Sequence, residues 1–165
     1  VVRSRGLGDV YKRQSEDLNL FSTKNFKIVS KRKPTSKQLK DLIFAFNVCR
    51  YVKSNAIVLA SNETTVGIGS GQPSRLDSCQ IAINKMKKFN LQNDNLVAAS
   101  DAFFPFVDGI EKLVQSGVRA VVQPSGSIRD KEIINFANET DTVLLFSKTR
   151  HFRPVSYTHL RAHET

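Results

Sequence analysis

An α/β fold, built as a three-layer α/β/α sandwich around a mostly parallel sheet, is what this sequence predicts. Three observations carry that expectation. Short apolar runs at 96–100, 118–123 and 142–147 have strand length and are separated by segments whose apolar residues recur every three or four positions. Strands that alternate with helices pair in parallel through crossovers, which cover both faces of the sheet. At 165 residues, with 40% hydrophobic and 24% charged content, the chain is one ordinary globular domain with enough apolar mass for such a core.

Each element follows from its own pattern. Residues 37–53 place Leu39, Leu42, Ile43, Phe46 and Cys49 on one helical face, after Pro34-Thr35-Ser36. Ala56-Ile57-Val58-Leu59-Ala60 and Thr65-Val66-Gly67-Ile68-Gly69, joined by Ser61-Asn62-Glu63-Thr64, read as a hairpin. A second helix over 74–89 carries Leu76, Cys79, Ile83 and Met86 on one stripe. Strand 96–100 leads into a helix over 108–116 closed by Gly117. Strand 118–123, a helix over 129–138 and strand 142–147 complete the series, parallel after the first hairpin.

That order has a consequence for function, because ligands of such sheets bind beyond the carboxyl ends of the strands. The loops there are Gly69-Ser70-Gly71-Gln72-Pro73-Ser74-Arg75, the stretch from Ser100 to Asp108, Gln123-Pro124-Ser125-Gly126-Ser127, and Lys148-Thr149-Arg150-His151-Phe152. Helix amino ends point at the same rim, and their open N–H groups suit an anion. Ser100-Asp101-Ala102-Phe103-Phe104-Pro105-Phe106-Val107-Asp108-Gly109 is the most unusual of these loops. Its three phenylalanines either fold under the loop or meet a flat ligand. Asp108 taken alone would be a helix N-cap. GIGSG is neither a GxGxxG fingerprint nor a Walker loop, since no Lys-Ser/Thr follows it.

Charge and cysteine usage exclude several classes. The net charge of +10 comes from two places. Arg3, Arg5, Lys12 and Arg13 against Asp9 give +3, and Lys24, Lys27, Lys31, Arg32, Lys33, Lys37 and Lys40 give +7. Such a run at a domain edge is solvated connection or phosphate contact, and with only Phe26 inside it there is no stacking platform for single strands. Cys49 and Cys79 have no zinc spacing and read as small buried hydrophobes in a reducing, cytoplasmic compartment. No apolar run reaches membrane-spanning length and no signal pattern opens the chain. Residues 1–14 and 154–165 lack periodicity and resemble translated adaptor sequence, so the native segment is expected over 15–153. His159 and His163 fall in that tail and are set aside as ligands.

Five phrases carry a resemblance. They are Val52-Lys53-Ser54-Asn55-Ala56-Ile57-Val58, Thr65 to Arg75, Ser100 to Phe106, Gln123-Pro124-Ser125-Gly126-Ser127-Ile128-Arg129-Asp130 and Arg150-His151-Phe152-Arg153. In this order, across 24–153, they resemble the carboxy-terminal part of the bifunctional purine-biosynthesis proteins. That family pairs aminoimidazole carboxamide ribonucleotide (AICAR) transformylase with inosinate cyclohydrolase. The resemblance implies a cytidine deaminase-like subdomain and formyl transfer from 10-formyltetrahydrofolate to AICAR. It also implies a homodimer that completes the site, with neither nucleic acid nor membrane as partner.

By residue, the resemblance makes Asn55 catalytic and places Phe103 and Arg150 on the AICAR side. Arg75, Phe106 and Asp108 then line the folate side, and Asp101 and Ser127 surround a potassium ion. Asn55 could otherwise be a turn residue, and Phe106 could be core. Val107 replaces an arginine common among bacterial relatives, and Pro154 stands where the family commonly ends with His. An upstream Lys-His pair, which in the family moves protons and stabilises charge, is absent from this piece, so the isolated fragment is expected to be inactive; lacking its partner half, it would expose apolar surface and is expected to be poorly soluble. Two other classes compete. A non-catalytic nucleotide- or phosphate-binding module would use the glycine loops alone, and a basic RNA-binding domain would show steep salt dependence. A zinc deaminase fits the layout but lacks the His/Cys signature.

Overall fold

Thr35 starts the first long helix. Its hydroxyl accepts from the Gln38 N–H at 3.1 Å, and the Gln38 side chain accepts from the Thr35 N–H at 3.0 Å, a reciprocal cap that satisfies two open donors. The computed structural model describes residues 23–89 and 94–151. In chain order it contains β1 (Phe26–Ile28), α1 (Ser36–Cys49), β2 (Ile57–Ser61), β3 (Thr64–Gly69), α2 (Arg75–Lys88), β4 (Leu96–Ser100), α3 (Val107–Gln115), β5 (Val118–Pro124), α4 (Asp130–Glu139) and β6 (Val143–Ser147). The adaptor-like ends, and Phe152 and Arg153 of the last motif, lie outside the described residues.

The strands form one sheet in the order β1-β6-β5-β4-β2-β3. β4, β5 and β6 are mutually parallel, joined by the crossover helices α3 and α4. β2 is antiparallel to both β3 and β4, and β1 is antiparallel to β6, so three of the five pairings are antiparallel and the sheet is mixed where a mostly parallel one was expected. The short edge strand β1 has no apolar periodicity of its own and is visible only through its pairing with β6. α1 also stops four residues earlier than its apolar pattern suggests. Tyr51 and Val52 donate to Val48 and Cys49, three residues back, so the last turn tightens and the chain leaves the helix toward Asn55.

Two apolar layers flank the sheet. Leu42, Ala45, Phe46 and Cys49 of α1 pack on Val58, Ala60, Val97, Ala99, Val122 and Leu145. Cys79, Ala82, Ile83 and Met86 of α2, with Ile110 and Leu113 of α3 and Ile133 of α4, cover Ile57, Leu59, Ala98, Val121 and Leu144. The α/β/α layering follows directly, one helix on one face and three on the other.

The glycines of Thr65-Val66-Gly67-Ile68-Gly69 belong to this packing. A Cβ on Gly69 would lie 1.8 Å from the Ser78 carbonyl oxygen, and one on Gly67 would lie 2.2 Å from that of Ala82. α2 therefore rests directly on the backbone of β3, which only glycine permits. The β2–β3 turn uses Asn62 and Glu63 at φ 53° and 52°. Its N–H groups donate to the buried Asp41 carboxylate of α1 at 3.2 and 2.7 Å, which anchors a conformation that non-glycine residues seldom adopt.

Candidate functional site

The carboxyl ends of β4, β5 and β6 share one rim, and the register brings a fourth segment to it. Ile57, the first residue of β2, pairs with Gly69 at the end of β3 and with Ser100 at the end of β4. Running antiparallel, β2 thus delivers the residues before it, Ser54 and Asn55, to the rim where its neighbours finish. There a cleft of about 410 Å³ is lined by Asn55, Pro73, Arg75, Phe103, Phe106, Asp108 and Arg150, among others. Six of the eight residues singled out from the sequence line it. Of the other two, Asp101 lies beneath the cleft, and Ser127 lines an adjacent depression of about 360 Å³ with Phe103, Pro105 and Arg129.

Asn55 is fixed from every side. Its Nδ2 donates to the carbonyls of Gln72 and Pro73 at 2.9 and 3.0 Å, its Oδ1 accepts from Arg75 Nη2 at 2.8 Å, and its own carbonyl accepts from Ser78 Oγ at 2.7 Å. An amide has two N–H bonds to give, and both are committed. What remains is one lone pair on Oδ1. The side chain can accept from a ligand and cannot donate to one.

Asp101 fixes the residues on either side of Asn55. Its Oδ2 accepts from Ser54 Oγ at 2.6 Å and its Oδ1 from the Ala56 N–H at 3.1 Å. The same carboxylate is paired with Arg75 at 2.5 Å, and the side chains are 2% and 8% exposed. Arg75 also donates to Ser100 Oγ at 2.9 Å. Arg75, expected on the folate side, touches the cleft, and its guanidinium bonds Asp101, Ser100 and Asn55.

The three phenylalanines have three fates. Phe104 is core, 1% exposed, with its N–H donated to the buried Gln123 side chain at 3.1 Å. Phe103 is half-buried between the two depressions. Phe106 is 52% exposed, which removes the alternative of a core residue, and the Arg129 guanidinium sits 4.8 Å from its ring centroid. Asp108 is not the N-cap of α3. Phe106 holds that position without a side-chain bond, while Asp108 lies in the first turn, exposed, accepting from the Gly109 N–H at 2.8 Å. A carboxylate there is favoured by the helix dipole and still open to the cleft.

Three supports escaped sequence reasoning: Ser78, Gln123 and Arg129. Gln123 carried the one available signal, an amide inside the apolar run Val118-Arg119-Ala120-Val121-Val122 that leads into it. Its Oε1 holds Phe104, and its buried Nε2 has no hydrogen-bond partner among the described residues.

The two cysteines offer no alternative chemistry. Cys49 and Cys79 lie on opposite faces of the sheet, and burial raises both thiols, Cys79 to about 12. Such thiols are neither nucleophiles nor ligands at neutral pH. No group of three His, Cys, Asp or Glu able to hold a metal ion occurs among the described residues. Among those residues, too, no helix is long and apolar enough to cross a membrane. Part of the basic run is structural and lies at the opposite rim. The Lys31 N–H donates to Asn138 Oδ1 at 2.8 Å, and Arg32 pairs with Asp141, just past the carboxyl end of α4.

Residues 4–85 match the family described as AICARFT/IMPCHase bienzyme. The bifunctional purine biosynthesis protein PurH of Persephonella marina (strain DSM 14350 / EX-H1) is 46% identical over 140 residues. The chain belongs to the AICARFT/IMPCHase bienzyme family. That alignment takes in 85% of this chain and 27% of the relative, so the chain spans little more than a quarter of the bienzyme it matches. Among solved structures, the dCMP deaminase of the cyanophage S-TIM5 in its apo form is similar at TM-score 0.46 and 16% identity, over 68% of this chain and 98% of that one.

Proposed function

We propose that this chain supplies half of a folate-dependent formyl-transfer site, in a bienzyme that carries a formyl group from 10-formyltetrahydrofolate to AICAR and then cyclises the product to inosinate. One observation carries the reading. Asn55, Arg75, Phe103, Phe106, Asp108 and Arg150, scattered over nearly a hundred residues of sequence, line a single cleft.

The reacting amine of AICAR is a poor nucleophile, its lone pair delocalised into the imidazole ring, so the site must aim it. The open lone pair of Asn55 Oδ1 accepts an N–H of that amine and turns its nitrogen lone pair toward the formyl carbon. Because both amide hydrogens of Asn55 are committed to carbonyls, it contributes nothing to the oxyanion of the tetrahedral intermediate. That charge, and the proton passed from amine to folate nitrogen, belong to groups outside the described residues, in keeping with an upstream Lys-His pair. Arg150 faces the phosphate or carboxamide oxygens of AICAR, and Phe103 offers a ring to its imidazole. Phe106 and Asp108 take the pterin, the carboxylate accepting from its amino and ring N–H groups.

Potassium fits this arrangement poorly. Asp101 is already charge-paired with Arg75, and Ser127 belongs to the neighbouring depression, its Oγ accepting from the Arg129 N–H at 3.1 Å. The rest of the reading is a cytoplasmic homodimer that completes the cleft, native sequence over 15–153, and an isolated fragment without turnover. Since the family match begins at residue 4, the parent gene's sequence across codon 15 decides that boundary.

Formyl transfer by the full-length protein is the test. Asn55→Ala should lower kcat about 10²-fold, as misplacement of a reactant does. Asp108→Asn should raise KM for the folate alone. A full-length protein with no formyl transfer, or an Asp108→Asn variant that changes only KM for AICAR, overturns the reading.

A further inference from the structure

The loop that carries Phe103, Phe106 and Asp108 to the cleft has few bonds of its own. Among the described residues, the Phe104 N–H is the one amide of 102–106 with a hydrogen-bond acceptor, Gln123 Oε1 at 3.1 Å. Gln123 is fully buried near the end of β5, directly after the apolar stretch of that strand. Strand alternation puts its side chain on the same face of the sheet as Val121, in the layer that also holds Phe104. Its Nε2 has no partner among the described residues. A buried amide left half unsatisfied costs more than an apolar side chain of similar length, so methionine would fill this place better if it served the core alone. What the amide adds is the oxygen beneath Phe104.

We propose that Gln123 is a positioning residue for the aromatic loop and acts through it on the ligands of both sides of the cleft. Pro105 confines Phe104 to extended backbone, and Gln123 sets where that extended residue sits. Phe104 then enters the core, 1% exposed, while Phe103 stays half-buried and Phe106 exposed at the cleft. The buried ring carries the placement further. It lies against the first turn of α3, so closely that a Cβ on Gly109 would come within 2.7 Å of Phe104 Cδ1. Asp108 precedes that glycine. One bond therefore places Phe103 and Phe106 through the chain and Asp108 through the ring. With the acceptor gone, the Phe104 N–H would be buried without a partner, and the loop would shift to find one. This rests on the transformylase reading of the cleft and adds to it the support that holds the AICAR and folate sides in one arrangement.

The test uses the full-length protein with Gln123→Met, which keeps the length and loses the acceptor, and Gln123→Glu, which keeps an oxygen in either protonation state. In steady-state formyl transfer, Gln123→Met should raise KM for AICAR and for the folate about tenfold each, the worth of one buried hydrogen bond. Its kcat should stay within about threefold of wild type, and Gln123→Glu should return both KM values to within the same factor. A purely structural glutamine would instead lower kcat by leaving fewer folded molecules, with both KM values unchanged. That result, a rise for one substrate alone, or a Gln123→Glu protein no better than Gln123→Met overturns the proposal. Deuterium exchange of the wild-type protein tests the bond without activity or substitution. One of the four amides of 102–106 should exchange about 10²-fold more slowly than the others, and four equally fast amides would overturn the proposal. Should the wild-type protein transfer no formyl group, the functional reading falls alone, and the exchange still decides whether Gln123 holds the loop.

Discussion

Removing the Asp101 carboxylate would strand an arginine, a serine hydroxyl and a backbone N–H at once, all of them beneath the cleft. Breaking a buried ion pair from one side costs about 3–5 kcal/mol, because the surviving charge stays buried and uncompensated. Asp101→Ala should lose that much in a urea titration of the full-length protein. Arg32→Ala, which removes the pairing with Asp141 at the other rim, should lose less than about 1 kcal/mol. Its partners are 48% and 74% exposed, so water already solvates both charges. Equal losses at the two pairs would mean that Asp101 is not held as described. The residue types at this site were legible in the sequence, but the direction of their bonds was not. Arg75 reads as a folate-side residue until its three protein partners are seen, and Asp108 reads as a cap until Phe106 is found in the cap position.

The contact between α2 and β3 shows the same limit one level up. The period-three apolar stripe gave α2, and the alternating run gave β3. Why glycine recurs at 67 and 69 becomes clear only when the helix backbone is found lying on them. Gly69→Ala forces a methyl group onto the Ser78 carbonyl, and overpacking of this kind costs about 1–3 kcal/mol. Because Ser78 also holds the Asn55 carbonyl, the same substitution should lower formyl transfer as well as the thermal midpoint. A Gly69→Ala protein with full stability would mean that α2 can lift off β3 without penalty. Glycine in this segment is thus a packing device, whereas a linear reading invites a phosphate loop.

Across the whole molecule, acid should act through the last described residue. The His151 ring packs against Phe46 with centroids 4.6 Å apart, and the His151 backbone N–H donates to the Asp101 carbonyl at 3.1 Å. Burial first, then the Arg50 charge, lowers its pKa from 6.5 to about 4, with Asp101 opposing. Between those values the unfolded chain binds the proton and the folded chain refuses it. The neutral His151 contribution is therefore complete above pH 6.5 and is lost as the pH falls toward 4. Urea midpoints taken at pH 7.5, 6 and 4.5 should fall more steeply for wild type than for His151→Phe, and parallel slopes would remove this group from the account. Such a group ties α1, β4 and the end of β6 together, and no window of sequence shows that link.

Among the described residues, the sequence by itself determined the α/β class, the four α-helices, five of the six strands, and the residue types gathered at the cleft. Those follow from short-range causes: apolar periodicity, capping pairs, turn residues and motif order. Tertiary structure alone decided three things. It added an antiparallel edge strand beside β6, because a strand as short as β1 exists only through its partner. It carried Asn55 to the rim, because β2 runs against β4 and so begins where its neighbour ends. It turned Arg75 inward, because a buried carboxylate on the adjacent strand end outcompetes water for the guanidinium, and that preference depends on a depth of burial no linear pattern encodes.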